Sequence, residues 1–272
     1  MGPGGGAVNW LGWLHDFFAD PAHHSGPDSI AHRVLEHLAF SAEALGLAAL
    51  VALPLGLLIG YSGRGLFVVT ALAGVARALP TLGLVTLAVL LVGVGDAAVL
   101  LPLTALAAPP MLVAAAEGVR GTVPDVRDAA RGIGLTHPQT LLRVCVPAAA
   151  PTLLAGVRTA AVQVIATATV AAYVGLGGLG RYVIDGLATR NFPTTVGGAL
   201  LVVLLAVAVQ LLFALLIRLA SPPGSRTGTG AGTGRRRNRD ATPEPPAAPE
   251  PTAEPAVLDD PAGSPALAKE ST

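Results

Sequence analysis

The sequence predicts an all-α, polytopic membrane protein with about five transmembrane helices. Hydrophobic residues make up 52% of its 272 positions and charged residues only 12%. Mean hydropathy is +0.64, too apolar for an ordinary soluble domain. Several apolar runs reach the roughly 20 residues needed to cross a hydrocarbon core of about 30 Å. The arginines cluster between those runs, as they do on the cytoplasmic side of membrane proteins. Formal net charge is zero, so bulk charge gives no reason to expect nucleic acid or an acidic partner.

Residues 1–37 are expected to form an extracytoplasmic N-terminal segment. Trp10, Trp13, Phe17 and Phe18 stand there beside Asp16, Asp20 and Asp28. No positive region precedes an apolar core, so the segment is not a signal peptide, and the tryptophans suit a membrane interface. His15, His23 and His24 have no cysteines nearby and no His-x-x-x-His face; they read as solvated, not as metal ligands. The single cysteine, Cys145, allows no intrachain disulfide and no cysteine-based metal site. No metal, cofactor or catalytic residue is expected of this chain.

The membrane domain is expected over 38–220. Its first span covers 38–60, with Glu43 near the start and Pro54 inside, and Arg64 follows at once. The run from Leu66 to Gly93 would be about 40 Å long as one helix, so Pro80 should divide it into a lead-in segment and a shorter spanning half. Arg77 sits at that break. An arginine at membrane depth marks function by default, but the bundle interior or a snorkel to the headgroups satisfies it equally, and the structural role is favoured.

The third span, 97–118, is expected to be interrupted by Pro109-Pro110 and to end on Glu117. The fourth runs from Pro151 to Val174, with Arg158, Gln163, Thr167 and Thr169 facing neighbouring helices or a pathway. The fifth covers 195–219. Five spans put Arg64, the arginines of 120–143, Arg218, Arg226 and Arg235–Arg237 on one side. The acidic N-terminal segment and Asp96 fall on the other, with Arg181 and Arg190 as exceptions. That places the N-terminus outside and the C-terminus in the cytoplasm. From Ser221, Pro, Thr, Gly, Ala and Glu dominate, and 221–272 reads as a disordered cytoplasmic tail. Its Arg235–Arg239 either touch anionic lipid or enforce topology.

Between the third and fourth spans lies a polar island, 124–147. Thr122 to Asp125 has capping-box spacing with Pro124 near the first helical position, and Gly134 can take the left-handed conformation that ends a helix. Thr136 to Gln139 offers a second capping box, from which a new helix should run toward Val144 until Pro147 breaks or kinks it.

The spacing Asp128-Ala129-Ala130, Gly134, Val144-x-Val146-Pro147 resembles the EAA loop of ABC importer permeases, whose pattern is Glu-Ala-Ala, three residues, Gly, nine residues, Ile-x-Leu-Pro. The spacing agrees throughout, and Asp for Glu, Val for Ile and Val for Leu are conservative departures. The resemblance implies a methionine-importer-like permease fold in which this loop is the coupling helix docking into an ATPase cleft. Asp128, Ala129, Ala130, Gly132, Gly134 and Pro147 would make the coupling, ringed by Arg127, Arg131 and Arg143.

The run Gly175-Leu-Gly177-Gly178-Leu-Gly180 formally contains the dinucleotide-binding pattern, but a membrane span precedes it and no acidic residue follows at the required distance. Its glycines instead suit a sharp turn and close packing at the outer end of the fourth span. With Ala155-Gly-Val-Arg158-Thr-Ala160 and Thr167-Ala-Thr169, this run looks like the quaternary-amine branch of these permeases, which import glycine betaine, choline or carnitine. Leu176 departs from that branch, where Ala is usual, and methionine importers share the glycine run.

The resemblance implies a cytoplasmic ATPase that binds the ATP, an extracytoplasmic substrate-binding protein, and a second permease subunit, the same or similar. No Walker A motif occurs here, and a fused binding domain is not expected from 37 residues ahead of the first span. Pathway or gate candidates are Arg77, Pro80, Arg158, Thr167, Thr169, Gly175, Gly177, Gly178 and Gly180. A competing class is an ion-coupled carrier or channel; it usually needs ionisable groups at the midplane, whereas Glu43 and Glu117 sit near span ends. Quaternary ammonium groups are generally held in aromatic cages. With two Trp, three Tyr and six Phe in the chain, selectivity is expected to reside in the partner binding protein.

Overall fold

The computed structural model describes residues 9–221, except the side chains of Leu72 and Arg77. The expected disordered tail therefore lies, beyond Ser221, outside the described residues. Every regular element among those described is helical: α1 (Trp10–Ala19), α2 (Ile30–Ser62), α3 (Leu66–Ala78), α4 (Thr81–Val92), α5 (Asp96–Arg120), α6 (Pro124–Gly132), α7 (His137–Thr140), α8 (Val146–Thr167), α9 (Gly180–Ala188) and α10 (Phe192–Ala220). Among the described residues, four stretches are long and apolar enough to cross a membrane alone: α2, α5, the 38-residue rod His137–Val174, and α10. The pair α3–α4, bent by 90°, is long and apolar enough only when its two helices are taken together. Its bend falls where Pro80 was expected to break the run, and Leu79 ahead of it is extended at ψ 130°, the conformation a following proline imposes.

The first span begins earlier than its apolar run. Ser29 caps α2, its hydroxyl accepting the His32 N–H at 3.4 Å, so the helix starts at Ile30. The helix thus reaches back into the segment expected to lie outside the membrane, and His32, Arg33, Glu36 and His37 belong to α2.

α5 is the centre of the bundle, packing against α2, α8, α3 and α4. Contacts between helices set the direction of each. Thr104 donates to the Ala44 carbonyl at 3.5 Å, Gly56 lies against Leu112 and Ala115, and Gly60 against Ala116. Numbers rise together, so α2 and α5 run parallel, and α3–α4 must carry the chain back across the bundle between them. Gly156 instead faces Pro110 and Ala114, and Gly118 faces Ala149 and Thr152; α8 is antiparallel to α5. Lipid gives apolar helices no hydrophobic reason to associate, so close van der Waals approach through small residues carries the packing. Ala44, Ala48 and Ala52 of α2 meet Val99, Leu103, Ala107 and Met111 of α5 and Ala160 and Val164 of α8 in one core. A side chain at Gly56 or Gly60 would overlap α5 backbone carbonyls.

One expectation about proline fails. α5 is not interrupted at Pro109-Pro110 but runs unbroken from Asp96 to Arg120. Pro110 cannot donate to the Leu106 carbonyl one turn back; the side-chain amide of Gln163 on α8 donates to it instead, at 3.4 Å. Of the two outcomes expected at Pro147, a break does not occur. A π-helical turn, Leu141–Cys145, widens the ladder just before it, making room for the ring, and α8 continues.

At the N-terminus, α1 packs on α10. Trp13 stacks on Phe192 with ring centroids 5.4 Å apart, and Phe17 is buried against Gly197 and the Tyr182 ring. His23 is not solvated as expected: it is buried, and its Nδ1–H donates to the Phe17 carbonyl at 2.8 Å. Among the described residues no group of three His, Cys, Asp or Glu could hold a metal.

Candidate functional site

The polar island folds as a helical hairpin. Pro124 opens α6 as expected, but Val123 is the cap residue. Thr122 does not cap; its hydroxyl is buried without a partner. Gly134 sits at φ 91° and closes α6 in a Schellman turn, with Gly134 N–H donating to Arg131 O at 2.9 Å and Leu135 N–H to Ala130 O at 3.2 Å. The second capping box forms: the Gln139 side chain accepts the Thr136 N–H at 2.9 Å. Because α7 passes through the π turn into α8 without a break, the second arm of the hairpin is the end of the 38-residue rod.

Asp128, Ala129, Gly132, Gly134 and Pro147 are exposed and Ala130 is buried. The hairpin also presents apolar side chains that sequence reasoning did not single out: Ile133 is 82% exposed, Leu142 61% and Val123 56%. Arg143 is exposed as expected of a ring of charge. Arg131 is exposed too and Arg127 is half-buried, and both turn back to Tyr61 at the end of α2. Arg127 lies over the Tyr61 ring, 5.9 Å from its centroid, and donates to the Val119 carbonyl; Arg131 reaches the Tyr61 hydroxyl at 3.5 Å. That hydroxyl also bonds His137 Nδ1 at 2.9 Å, so one tyrosine holds both arms. Beneath it Val119, Leu141, Cys145 and Ala149 form a small core with Leu57 and Leu153, which makes Cys145 a packing residue.

At the opposite end of the bundle the glycine run makes the sharp turn expected of it. Gly175 and Gly178 take φ 83° and 87°. Gly178 N–H donates to Glu36 Oε2 at 2.8 Å, and a side chain on Gly177 would overlap the Glu36 carboxylate. Gly180 lies flush on the Thr169 carbonyl. Arg33 holds Glu36 at 2.9 Å and Asp28 at 2.5 Å. His37 is buried, and its Nε2–H donates to the Ile165 carbonyl of α8 at 2.9 Å. Tyr182 donates its hydroxyl to the Asp28 carbonyl. Burial pushes its pKa up to about 12, so it remains a donor at neutral pH. Sequence reasoning missed Arg33, Glu36, His37 and Tyr61. The signal for the first three was present in His32-Arg33-x-x-Glu36-His37, whose i,i+3 and i,i+4 spacing pairs charges on one helix face.

The remaining pathway candidates are scattered. The Thr167 and Thr169 hydroxyls bond back to the Gln163 and Ala166 carbonyls at 2.8 and 3.0 Å, so Gln163 alone of these polar residues reaches another helix. Arg158 is half-buried on α8. Pro80 begins α4 at the 90° bend, and Arg77 lies near the end of α3.

Residues 52–222 match the family described as binding-protein-dependent transport system inner membrane component. The chain is 31% identical to the choline transport system permease protein OpuBB of Bacillus subtilis (strain 168) over 72% of its own length and 90% of that protein. It is 34% identical to the carnitine transport permease protein OpuCB of Listeria monocytogenes over 64% of its length and 80% of the relative. The osmoprotectant import permease protein OsmW of Salmonella typhimurium (strain LT2) is 31% identical, with 72% and 94% covered. Among solved structures, the MetNI methionine ABC transporter in an inward-facing form aligns with a TM-score of 0.61 at 22% identity, covering 71% of this chain and 96% of that one. A crystal structure of an amino acid ABC transporter with histidines aligns at 0.55 and 18%, covering 78% and 99%. The solved structures share the fold of the helical bundle, and the chain belongs to the family of inner-membrane permease components of binding-protein-dependent transport systems.

Proposed function

We propose that this chain is the permease subunit of an ABC importer for quaternary-amine osmoprotectants such as choline, carnitine or glycine betaine. The observation that carries the reading is the hairpin of 124–147. It is a capped projection, continuous with a membrane-spanning rod and bearing exposed Ile133 and Leu142, and it keeps the EAA spacing throughout, with Asp128, Val144 and Val146 as conservative departures. A projection fused to a span converts the movement of a docked partner into movement of that span. The partner is a cytoplasmic ATPase, which supplies the ATP-binding site. An extracytoplasmic binding protein delivers solute, and a second permease, the same or similar, completes the pathway.

The hairpin end then faces the cytoplasm with Arg64, Arg120, Arg143 and Arg218, and the glycine turn faces outward. Supporting the substrate class are the names of the similar permeases, which transport choline, carnitine and osmoprotectants, and the match of Arg158-Thr-Ala160 and the glycine run to that branch. Reconstitution with the cognate ATPase and binding protein tests it, using labelled choline, glycine betaine, carnitine and methionine. ATP-dependent uptake of a quaternary amine without methionine is expected. Uptake of methionine alone would replace the substrate class and leave the importer in place.

A further inference from the structure

The permease reading leaves open how movement at the hairpin reaches the opposite end of the bundle. α8 leads there directly, but a rod moves its neighbours only if they cannot slide past it. α2 and α8 meet each other far less than either meets α5. Besides the shared core and the bond from His37 to the Ile165 carbonyl at 2.9 Å, what joins them is found at their ends. At the hairpin end Tyr61 of α2 bonds His137 at 2.9 Å, at the start of the rod that becomes α8. At the other end Glu36 of α2 accepts the Gly178 N–H at 2.8 Å, beyond the end of that same rod. The Glu36 carboxylate is itself fixed by Arg33, and Gly177 leaves it no clearance. Tyr61 is likewise fixed, by Arg127 over its ring and Arg131 at its hydroxyl. Between the two residues α2 is unbroken, a length of about 37 Å at 1.5 Å per residue.

Resting on the proposed function, we propose that Tyr61 and Glu36 pin α2 and α8 into one closed frame, and that both are positioning residues for the coupling of ATP hydrolysis to opening of the outer end. Neither touches solute in this role. Each prevents shear between two antiparallel helices, so that displacement of the hairpin moves the glycine turn as part of the same body. A closed frame has a definite energetic signature. With the His37 bond to α8 in place, removing either pin still breaks the path through α2 from the hairpin to the glycine turn, and removing the second then changes little, although independent sites this far apart would add.

The test uses the full complex of this chain with its ATPase and binding protein in lipid nanodiscs, comparing wild type, Tyr61→Phe, Glu36→Ala and the double variant. Tyr61→Phe keeps the ring beneath Arg127 and removes only the hydroxyl. Glu36→Gln serves as a second variant of unchanged volume, with a smaller loss in the same direction. Binding-protein stimulation of ATP hydrolysis should fall roughly tenfold in Glu36→Ala, the scale of one hydrogen bond to a charged group, and about three- to fivefold in Tyr61→Phe, the scale of an ordinary one. The double variant should be no worse than the worse single one, with assembly unchanged. Losses that multiply in the double variant overturn the frame, as does stimulation near the wild-type value in both singles. Variants that no longer assemble with the ATPase show the pins to be merely structural and also overturn it. A wild-type complex without ATP-dependent uptake overturns the importer reading itself, and the frame's role with it.

Discussion

Gly132 and Gly134 offer a matched pair for testing the hairpin. Both are exposed, and a methyl group built on either meets nothing within 4 Å. They differ in backbone conformation alone: Gly132 ends α6, whereas Gly134 has φ 91°. Replacing each with alanine therefore separates conformation from sterics. In a helix, glycine is worse than alanine by about 0.5–1 kcal/mol, so Gly132→Ala should stabilise the turn of α6 that carries Asp128 and Ala129. At Gly134 the left-handed backbone brings Cβ too near the following carbonyl, a cost of about 1–2 kcal/mol. The Leu135 amide, which donates to Ala130 O across the turn, reports the difference by hydrogen exchange. Its exchange should quicken about 5- to 30-fold in Gly134→Ala and slow by a few-fold in Gly132→Ala. Gly134→Val should go further and lose uptake with membrane insertion intact. The reasoning fails if both alanine variants shift exchange in the same direction, or if Gly134→Ala is silent.

Gln163→Leu should cost about 0.6–1.7 kcal/mol, the range of an interhelical hydrogen bond in a membrane, read as earlier thermal unfolding in detergent. Pro110→Ala should relieve most of that loss by restoring the backbone donor to Leu106, and an unrelieved double variant would refute the account of α5. With the buried Cys145 unreactive, a cysteine probe placed at Asp96 should be labelled from outside and one at His137 spared; the reverse pattern would invert the topology. Truncation after Arg226 should leave uptake unchanged, because the sequence beyond it lacks the apolar periodicity of a packed element.

The sequence by itself determined the spans and the hairpin. Apolar runs report their own transfer into lipid, and arginines report the side on which a loop is retained, without reference to any other part of the chain. Pro124, Gly134 and the Thr136–Gln139 box act on backbone groups within five residues, so their spacing was enough to place both arms of the hairpin. Thr122 shows the limit even there: capping-box spacing was present, yet the chain turned one residue later and left its hydroxyl buried.

Tertiary structure decided whatever depended on a partner distant in the chain. Whether Pro109-Pro110 interrupts α5 turned on a donor 57 residues away, on Gln163. The fixing of the hairpin to α2 turned on Tyr61 and His137, 76 residues apart, and the seating of the glycine turn on Glu36, 142 residues from Gly178. A hydrogen bond between side chain and backbone leaves no periodicity to read, because its two ends are brought together only by the packing of the helices that carry them. In a bundle held by the close approach of Gly56, Gly60 and Gly156 to facing helices, a polar group that looks exposed or costly in the sequence finds its donor or acceptor only after those backbones have met.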